Sequence, residues 1–383
     1  VLIRSVMRIS HLFILLAASA MLTACDFLDE YNPNSVTVGN YYTSEEDIVA
    51  SLNGVYTSLT QSYVADNYHY FTDVRANATV VTNSGANSGI PYQFYNYTLT
   101  EENVYVYNRY SQLYKIISRA NTLFAHLGDV SYATPSARDT YEAEARFLRA
   151  LSYYWLVTEW GDVPLVLKVL ESTEEVRANN YRRPKAEIYQ AIFDDLKYVT
   201  ESPLLDVQPA SACGKVSKAA AWALWGKAST QKSCAENLFQ VNYIQGNADL
   251  GSVWNYMYGP EGAGVTSQRK GEMQNVTIQA VYDSFEPGDV RRSFLRATNK
   301  AGQTYYHTMK YADLECGANG YGGNNWIVLR YADVALMLAE AYYWSKEETL
   351  AKTWLNKVRE RAGLGDWSGS DLRQGIYDER LHE

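Results

Sequence analysis

Apolar positions recur every three or four residues through much of the chain, the spacing of one helix face. The first such run carries Ile48, Leu52, Val55, Tyr56 and Leu59 behind a capping Ser44 with Asp47 three residues on. A second helix is predicted from about 104 to 127, with Leu113, Ile116, Ala120, Leu123, Phe124 and Leu127 on one face and Gly128 as its stop. A third covers Ala137 to Trp160, with Tyr141, Ala145, Leu148, Ser152 and Trp155 as its stripe and Gly161 and Pro164 at its end. A fourth has Pro184 in its first turn and carries Ile188, Ile192, Leu196 and Val199. A fifth is capped by Ser217 and holds Trp222 and Trp225. Tyr107, Tyr110 and Tyr114 also repeat at helical spacing, so these five rings are expected in the core or in helix seams.

The clearest unit lies between Ala332 and Gly363, where two helices are joined by Ser345, Lys346 and Glu347. Counted from Ala332, the positions of Leu338, Ala339, Tyr342, Ala351, Leu355 and Val358 follow a tetratricopeptide repeat. Small residues at Ala339 and Ala351 let the helices approach, and large ones fill the groove. Two stretches break the helical pattern. Residues 60–100 and 240–328 are rich in Asn, Gly, Ser and Tyr, with short alternating runs such as Tyr92 to Tyr97. They read as long irregular inserts with a few short strands, and loops of that length usually carry function. The expected fold is mainly α: a stack of helix pairs with a loop-built face.

The N-terminus follows a different logic. Arg4 and Arg8 precede an uncharged apolar run from Leu12 to Leu22, too short to span a bilayer. Leu22, Thr23, Ala24 and Cys25 then form a lipobox. Residues 1–24 are therefore expected to be a signal peptide, and 25–40 an acidic, non-periodic tether lipidated on Cys25. Residues 41–383 are expected to form one domain.

Composition narrows the chemistry. A net charge of −9 argues against nucleic acid and against an anionic membrane surface. The 33 tyrosines and 9 tryptophans supply flat apolar faces with polar tips, suited to sugar or peptide contacts as well as to helix packing. Besides Cys25 there are Cys213, Cys234 and Cys316; without a Cys-x-x-Cys pair, neither a zinc nor a redox motif is expected. The histidines show no ligand spacing. Asp194 and Asp195 lie on adjacent helix positions and are expected on a solvated surface rather than as a catalytic pair. Glu159 and Asp162, flanking a helix end, are read as capping or loop groups. Asp313, Glu315 and Asn319 form an incomplete calcium-loop pattern, and no metal or other cofactor is expected apart from the lipid on Cys25.

Four stretches together resemble the SusD-like (RagB/SusD) nutrient-binding lipoproteins of Gram-negative outer membranes. They are residues 25–33 (CDFLDEYNP), 144–157 (EARFLRALSYYWLV) running into 160–165 (WGDVPL), 329–341 (LRYADVALMLAEA) with 355–363 (LNKVRERAG), and 376–383 (IYDERLHE). The resemblance implies a tetratricopeptide-like scaffold without catalytic activity. It also implies a surface-exposed, lipid-anchored protein that captures an oligosaccharide and passes it to a SusC-type TonB-dependent porin. Some relatives take peptides instead. Two departures stand out. The family continues past the motif that ends here at Glu383, so the chain is expected to be truncated at its C-terminus. The stretch from Ser229 to Ala235 is also too short for the second helix of its pair.

Sugar sites combine aromatic platforms with a few polar groups. In the early insert the candidates are Tyr68, Tyr70, Asp73, Arg75 and Asn77, followed by Tyr92 and Tyr95. In the central insert they are Trp254, Tyr256 and Tyr258, whose alternation would aim all three rings to one side of an extended segment. A tetratricopeptide scaffold that binds only proteins, and a surface glycosidase, are the competing classes; the latter lacks an evident acid/base pair.

Overall fold

The computed structural model describes residues 41–76, 78–81, 85–212, 214–229, 237–241, 243, 245–248, 251–258, 275–300, 302–313, 316 and 320–383. The expected signal peptide, 1–24, and the expected tether with Cys25, 25–40, lie outside the described residues, as do Cys213 and Cys234.

Helix α1, Glu45–Thr57, opens on the expected capping box. Ser44 Oγ accepts from Asp47 N at 3.4 Å, and the Asp47 carboxylate accepts from Ser44 N at 2.9 Å. The short helix α2, Tyr92–Tyr95, precedes α3, Val104–His126, and α4, Ala137–Trp160. Asn103 starts α3 by accepting from the amides of Tyr105 and Val106. A short α5, Thr173–Asn179, leads to α6, Lys185–Glu201, and α7, Lys218–Ser229. Helix α4 packs against α1, α3 and α6, and α6 in turn packs against α7. The central position of α4 explains its composition: Ala143, Ala145, Phe147, Leu148, Ala150, Leu151, Tyr153 and Leu156 are all buried. Gly161 ends it at φ 73, ψ −119, a conformation that L side chains avoid.

Two buried ion pairs lie between these helices. Arg149 donates from Nε and Nη2 to the two carboxylate oxygens of Asp195 (2.8 and 2.7 Å), and from Nη1 to Asn121 Oδ1 (2.7 Å). Asp194 is exposed as the pattern predicts, but Asp195 is buried and also bonded by Arg146 at 2.8 Å. Being adjacent on a helix, the two carboxylates point about 100° apart, and only Asp195 meets the arginines of α4. Asp162 does act as a loop group, accepting from the first amide of α6 (Lys185 N, 2.8 Å). Glu159 is instead the partner of buried Arg109.

The C-terminal unit matches the repeat reading. Helices α10, Tyr331–Trp344, and α11, Glu348–Arg361, form a pair in which Ala339 and Ala351 are fully buried beside Leu336, Leu355 and Val358. Leu372 and Ile376 of α12, Leu372–His382, complete that core.

The inserts hold short strands: β1 Thr79–Val81, β2 Asn237–Val241, β3 Asn275–Thr277, β4 Leu295–Lys300, β5 Gln303–Thr308 and β6 Trp326–Arg330. An antiparallel sheet runs β1-β3-β5-β4, and β2 pairs antiparallel with β6. Between β2 and β3 lies a helical turn, α8, Trp254–Met257; α9, Gln279–Ser284, follows β3. Tyr92 to Tyr97 is therefore not a strand. Pro91 begins a helical turn there, and Phe94 plugs the core beside Tyr70 and Phe71. Two of the five helical aromatics expected inside are largely exposed, Tyr107 at 68% and Trp222 at 48%. Tyr107 lies one turn beyond Tyr110, whose ring meets Trp160 at the last residue of α4. Trp222 ends a row in which it stacks on Trp225, and Trp225 on Phe193.

Candidate functional site

The inserts and the C-terminal helices enclose a half-open cavity of about 960 Å³. One wall is the segment 65–79, another is α8 with Tyr311 and Trp326, and a third is α9 with Phe294 and Leu295. The rim toward α11 and α12 is charged, with Lys310, Arg330, Arg361 and Glu383.

The aromatic wall is a connected set of rings. Trp326, first residue of β6, stacks nearly parallel on Trp155 of α4 (5.7 Å, 13°), which fixes it to the scaffold. Tyr68 meets Trp326 at 5.2 Å. Trp254 meets Trp326 at 6.3 Å and Tyr311 at 4.8 Å, and Tyr311 reaches Tyr258 at 6.5 Å. Because α8 is helical, Trp254 and Tyr258 are one turn apart and share a side. The expected alternation does not apply: the extended segment that would have aimed three rings together is a helical turn. The Tyr256 side chain and Asn77 lie outside what the structure describes.

Segment 65–79 is held from beneath by Arg109. Its Nη1 donates to the carbonyls of Tyr63 (3.1 Å) and Val64 (2.9 Å), and its guanidinium lies 5.1 Å from the Tyr68 ring and 4.8 Å from that of Phe71. Glu159 completes the arrangement with two bonds of 2.6 Å. Residues Tyr70–Val74 form a π-helical turn, so Tyr68 and Asp73 face the cavity while Tyr70 turns inward.

Of the sequence candidates, then, Tyr68, Asp73, Trp254 and Tyr258 line the cavity. Tyr70 is buried in the core with Phe94 and Tyr105. Tyr92 and Tyr95 are half-buried against that same core, their rings 5.5 Å apart. Arg75 is exposed outside the cavity lining, and its carbonyl accepts from Tyr97 Oη. The cavity also recruits residues that the sequence did not single out: His69, Lys310, Tyr311, Trp326 and Arg330. Trp326 and Arg330 stand at the two ends of β6; Arg330 lies within the stretch 329–341 quoted above and Trp326 three residues before it, and that adjacency was the available signal.

Electrostatics at the wall are set by burial. Asp73 opens onto the cavity, yet desolvation raises its carboxyl above the ordinary value. Desolvation, with Arg330 nearby, lowers Lys310 to about 8. Burial raises Asp66, behind the wall, to about 7 and lowers His69, in the wall, to about 3. His69 Nδ1 lies 2.7 Å from Tyr258 Oη and 3.0 Å from the Asp66 carbonyl. Glu383 behaves oppositely. Burial would raise it, but hydrogen bonding from Arg361 and the charge of Arg330 outweigh that and hold it at about 2. Asp313 accepts weakly from Gln245 and Gly323; its calcium-loop companions Glu315 and Asn319 lie outside the described residues. An aromatic, half-enclosed cavity with polar groups at its rim has the character of a ligand site.

Two family models match the chain: one described as "Starch-binding associating with outer membrane" over residues 26–228, and one described as "SusD family" over residues 235–383. The break between them, 229–234, falls within the stretch 229–235, of which residues 230–235 lie outside the described residues. Among curated relatives, SusD-like protein P2 of Formosa agariphila is 27% identical, covering 94% of this chain and 83% of its own length. Among solved structures, surface glycan-binding protein A of Bacteroides thetaiotaomicron, in complex with laminarihexaose, superimposes with a TM-score of 0.74 at 18% identity, covering 88% of this chain and 87% of the other. A laminarin-binding SusD-like protein gives 0.73 at 24% identity, with 89% of both chains covered.

Proposed function

This chain belongs to the SusD family, and on that premise we propose that it binds oligosaccharide nutrients at the cell surface and delivers them to a SusC-type TonB-dependent outer-membrane transporter. The observation that carries the binding step is the cavity, where Tyr68, Trp254, Tyr258, Tyr311 and Trp326 surround a space large enough for several sugar rings. Sugar rings present apolar C–H faces that settle on aromatic planes, while hydroxyls find the polar groups at the rim. The family description links such proteins to starch binding and to the outer membrane. Among the described residues no helix is long and apolar enough to cross a membrane. Membrane attachment is assigned to the lipid on Cys25, and contact with the transporter to the scaffold helices.

The reading is one of binding rather than catalysis. Of the two carboxylates that line the cavity among the described residues, Glu383 is occupied by Arg291, Arg330 and Arg361 at 2.6 to 2.9 Å, which withdraws its oxygens from use as a base or nucleophile. Glycoside hydrolysis needs an acid and a second working carboxylate. A panel of oligosaccharides and peptides offered to the full chain tests the assignment. Binding of a saccharide without product release supports it; binding of peptides alone, or release of shorter sugars, contradicts it. Co-purification with a TonB-dependent porin tests the delivery step separately.

A further inference from the structure

The cationic side chains that line the cavity are answered within the protein. Arg291, Arg330 and Arg361 converge on the Glu383 carboxylate at 2.9, 2.6 and 2.6 Å. Arg380 bonds Asp333 and Glu340 at 3.1 and 3.0 Å. Lys310 lies 3.3 Å from a Glu383 oxygen, and the charge of Glu383 acts on it ahead of that of Asp73. No unanswered cation is left for an anionic ligand, so discrimination falls to the neutral polar groups of the wall.

Two of those groups are orphans. Among the described residues, the cavity-lining side chains with a buried polar atom that meets no partner in the protein are His69, at Nε2, and Thr79 of β1, at Oγ1. Buried polar atoms are almost always paired, and leaving one unpaired is costly. The other nitrogen of His69 fixes the ring. Nδ1 lies 2.7 Å from Tyr258 Oη and 3.0 Å from the Asp66 carbonyl oxygen, and the ring centre is 4.0 Å from that of Tyr70. If Tyr258 gives its proton to Nδ1, Nε2 carries a hydrogen and is a donor; if Nδ1 gives a proton to the carbonyl, Nε2 is an acceptor. A hydroxyl satisfies either form, and it satisfies Thr79 Oγ1 as well. Burial lowers His69 to about 3, so the ring is uncharged near neutrality.

Resting on the reading that this cavity binds glycans, we propose that His69 and Thr79 are specificity-determining residues, which read free hydroxyls of a neutral saccharide while the aromatic wall takes the sugar faces. Neither orphaned atom has surface open to solvent in the unliganded protein, so the wall yields by a side-chain movement as the ligand seats. A polar group placed to meet a hydroxyl discriminates against ligands that lack it, because the group then stays unpaired.

The test is calorimetric titration of the full chain with neutral hexasaccharides (laminarihexaose, maltohexaose, cellohexaose and mannohexaose) and with tetragalacturonate as an acidic control. At least one neutral probe should bind, and more tightly than the control. In the variants, Asn puts a polar group where Nδ1 stood, and Gln where Nε2 stood. With the tightest neutral probe, His69→Asn should therefore weaken binding by about threefold to tenfold, while His69→Gln stays close to wild type. Thr79→Val should weaken binding by a similar factor and melt no lower than wild type, because its hydroxyl has no partner to lose. A merely structural His69 predicts the reverse order, since its hydrogen bonds within the fold are at Nδ1. Wild-type affinity in His69→Asn or in Thr79→Val, the result expected if only water meets these atoms, overturns the proposal. So does a loss in His69→Gln equal to that in His69→Asn. Failure of every neutral probe overturns it too; binding of tetragalacturonate or another saccharide then leaves the glycan reading standing, and binding of none ends both.

Discussion

Arg109 and Glu159 form a bidentate ion pair, two bonds of 2.6 Å, with 0% and 9% of their side chains exposed. The pair joins α3 to the end of α4, and the remaining Arg109 donor holds the backbone that carries Tyr68 and Asp73 into the cavity. Removing one partner leaves an uncompensated buried charge, a loss of about 3–5 kcal/mol. Arg109→Ala should therefore lower stability by that order in urea titration. The double change Arg109→Met with Glu159→Leu should recover much of it, because neither charge is then stranded. Equal losses in the single and double variants would contradict this account.

Two buried groups at the cavity wall respond to pH in opposite senses. Asp66 has a folded value of about 7, against about 3.9 unfolded. Its contribution is fully present below the unfolded value and is lost as pH rises through 7. His69 has a folded value of about 3, against about 6.5 unfolded. Its contribution is present above 6.5 and is lost as pH falls toward 3. Between about pH 4 and 6.5 the two slopes oppose each other. In Asp66→Asn only the histidine slope remains, so the variant should gain stability relative to wild type as pH rises through that window. Parallel stability curves for the two proteins would sink the idea.

Gly161 ends α4 with φ 73 and ψ −119, and nothing within 4 Å would meet an added Cβ. A cost in Gly161→Ala is therefore backbone strain alone, of about 1–2 kcal/mol. Thermal melts of the variant should show a lower midpoint with no change in the far-ultraviolet spectrum; an unchanged midpoint would mean that the turn relaxes freely.

Ala351 is fully buried in the seam of α10 and α11. Ala351→Leu overfills that seam and should cost about 1–3 kcal/mol. Leu355→Ala, one turn further, leaves a cavity and should cost about 2–5 kcal/mol. If Ala351→Leu were as stable as wild type, the close approach inferred from the repeat spacing would be wrong.

The helical scaffold was legible because it obeys a local rule. Ile48, Leu113, Leu148, Ile192 and Leu355 each occupy the apolar position of a 3.6-residue period, and all are buried. Capping at Ser44 and termination at Gly161 are equally local. The cavity was only half legible. Tyr68, Asp73, Trp254 and Tyr258 stood out as aromatic or polar residues in the inserts. Their orientation did not, because short helical turns replaced the expected extended runs at 92–97 and 254–258. Arg109, Lys310 and Arg330 escaped notice for a different reason. Each is brought to the site from a distant stretch of chain, and neither a cation on a helix face nor one at a strand end signals its tertiary partner. Asp195 was misread on the same ground: its burial depends on arginines 46 and 49 positions away.

The central claim is that the aromatic cavity binds a saccharide, and calorimetric titration of the full chain against an oligosaccharide panel, wild type beside Tyr311→Ala, measures it most directly. Tyr311 packs on Trp254 at the cavity wall and makes no contact with the buried Arg109–Glu159 pair. The account predicts saturable binding of at least one saccharide to the wild type and a loss of about tenfold or more in the variant. Saccharide binding that is equally tight in both proteins would place the ligand elsewhere and contradict it.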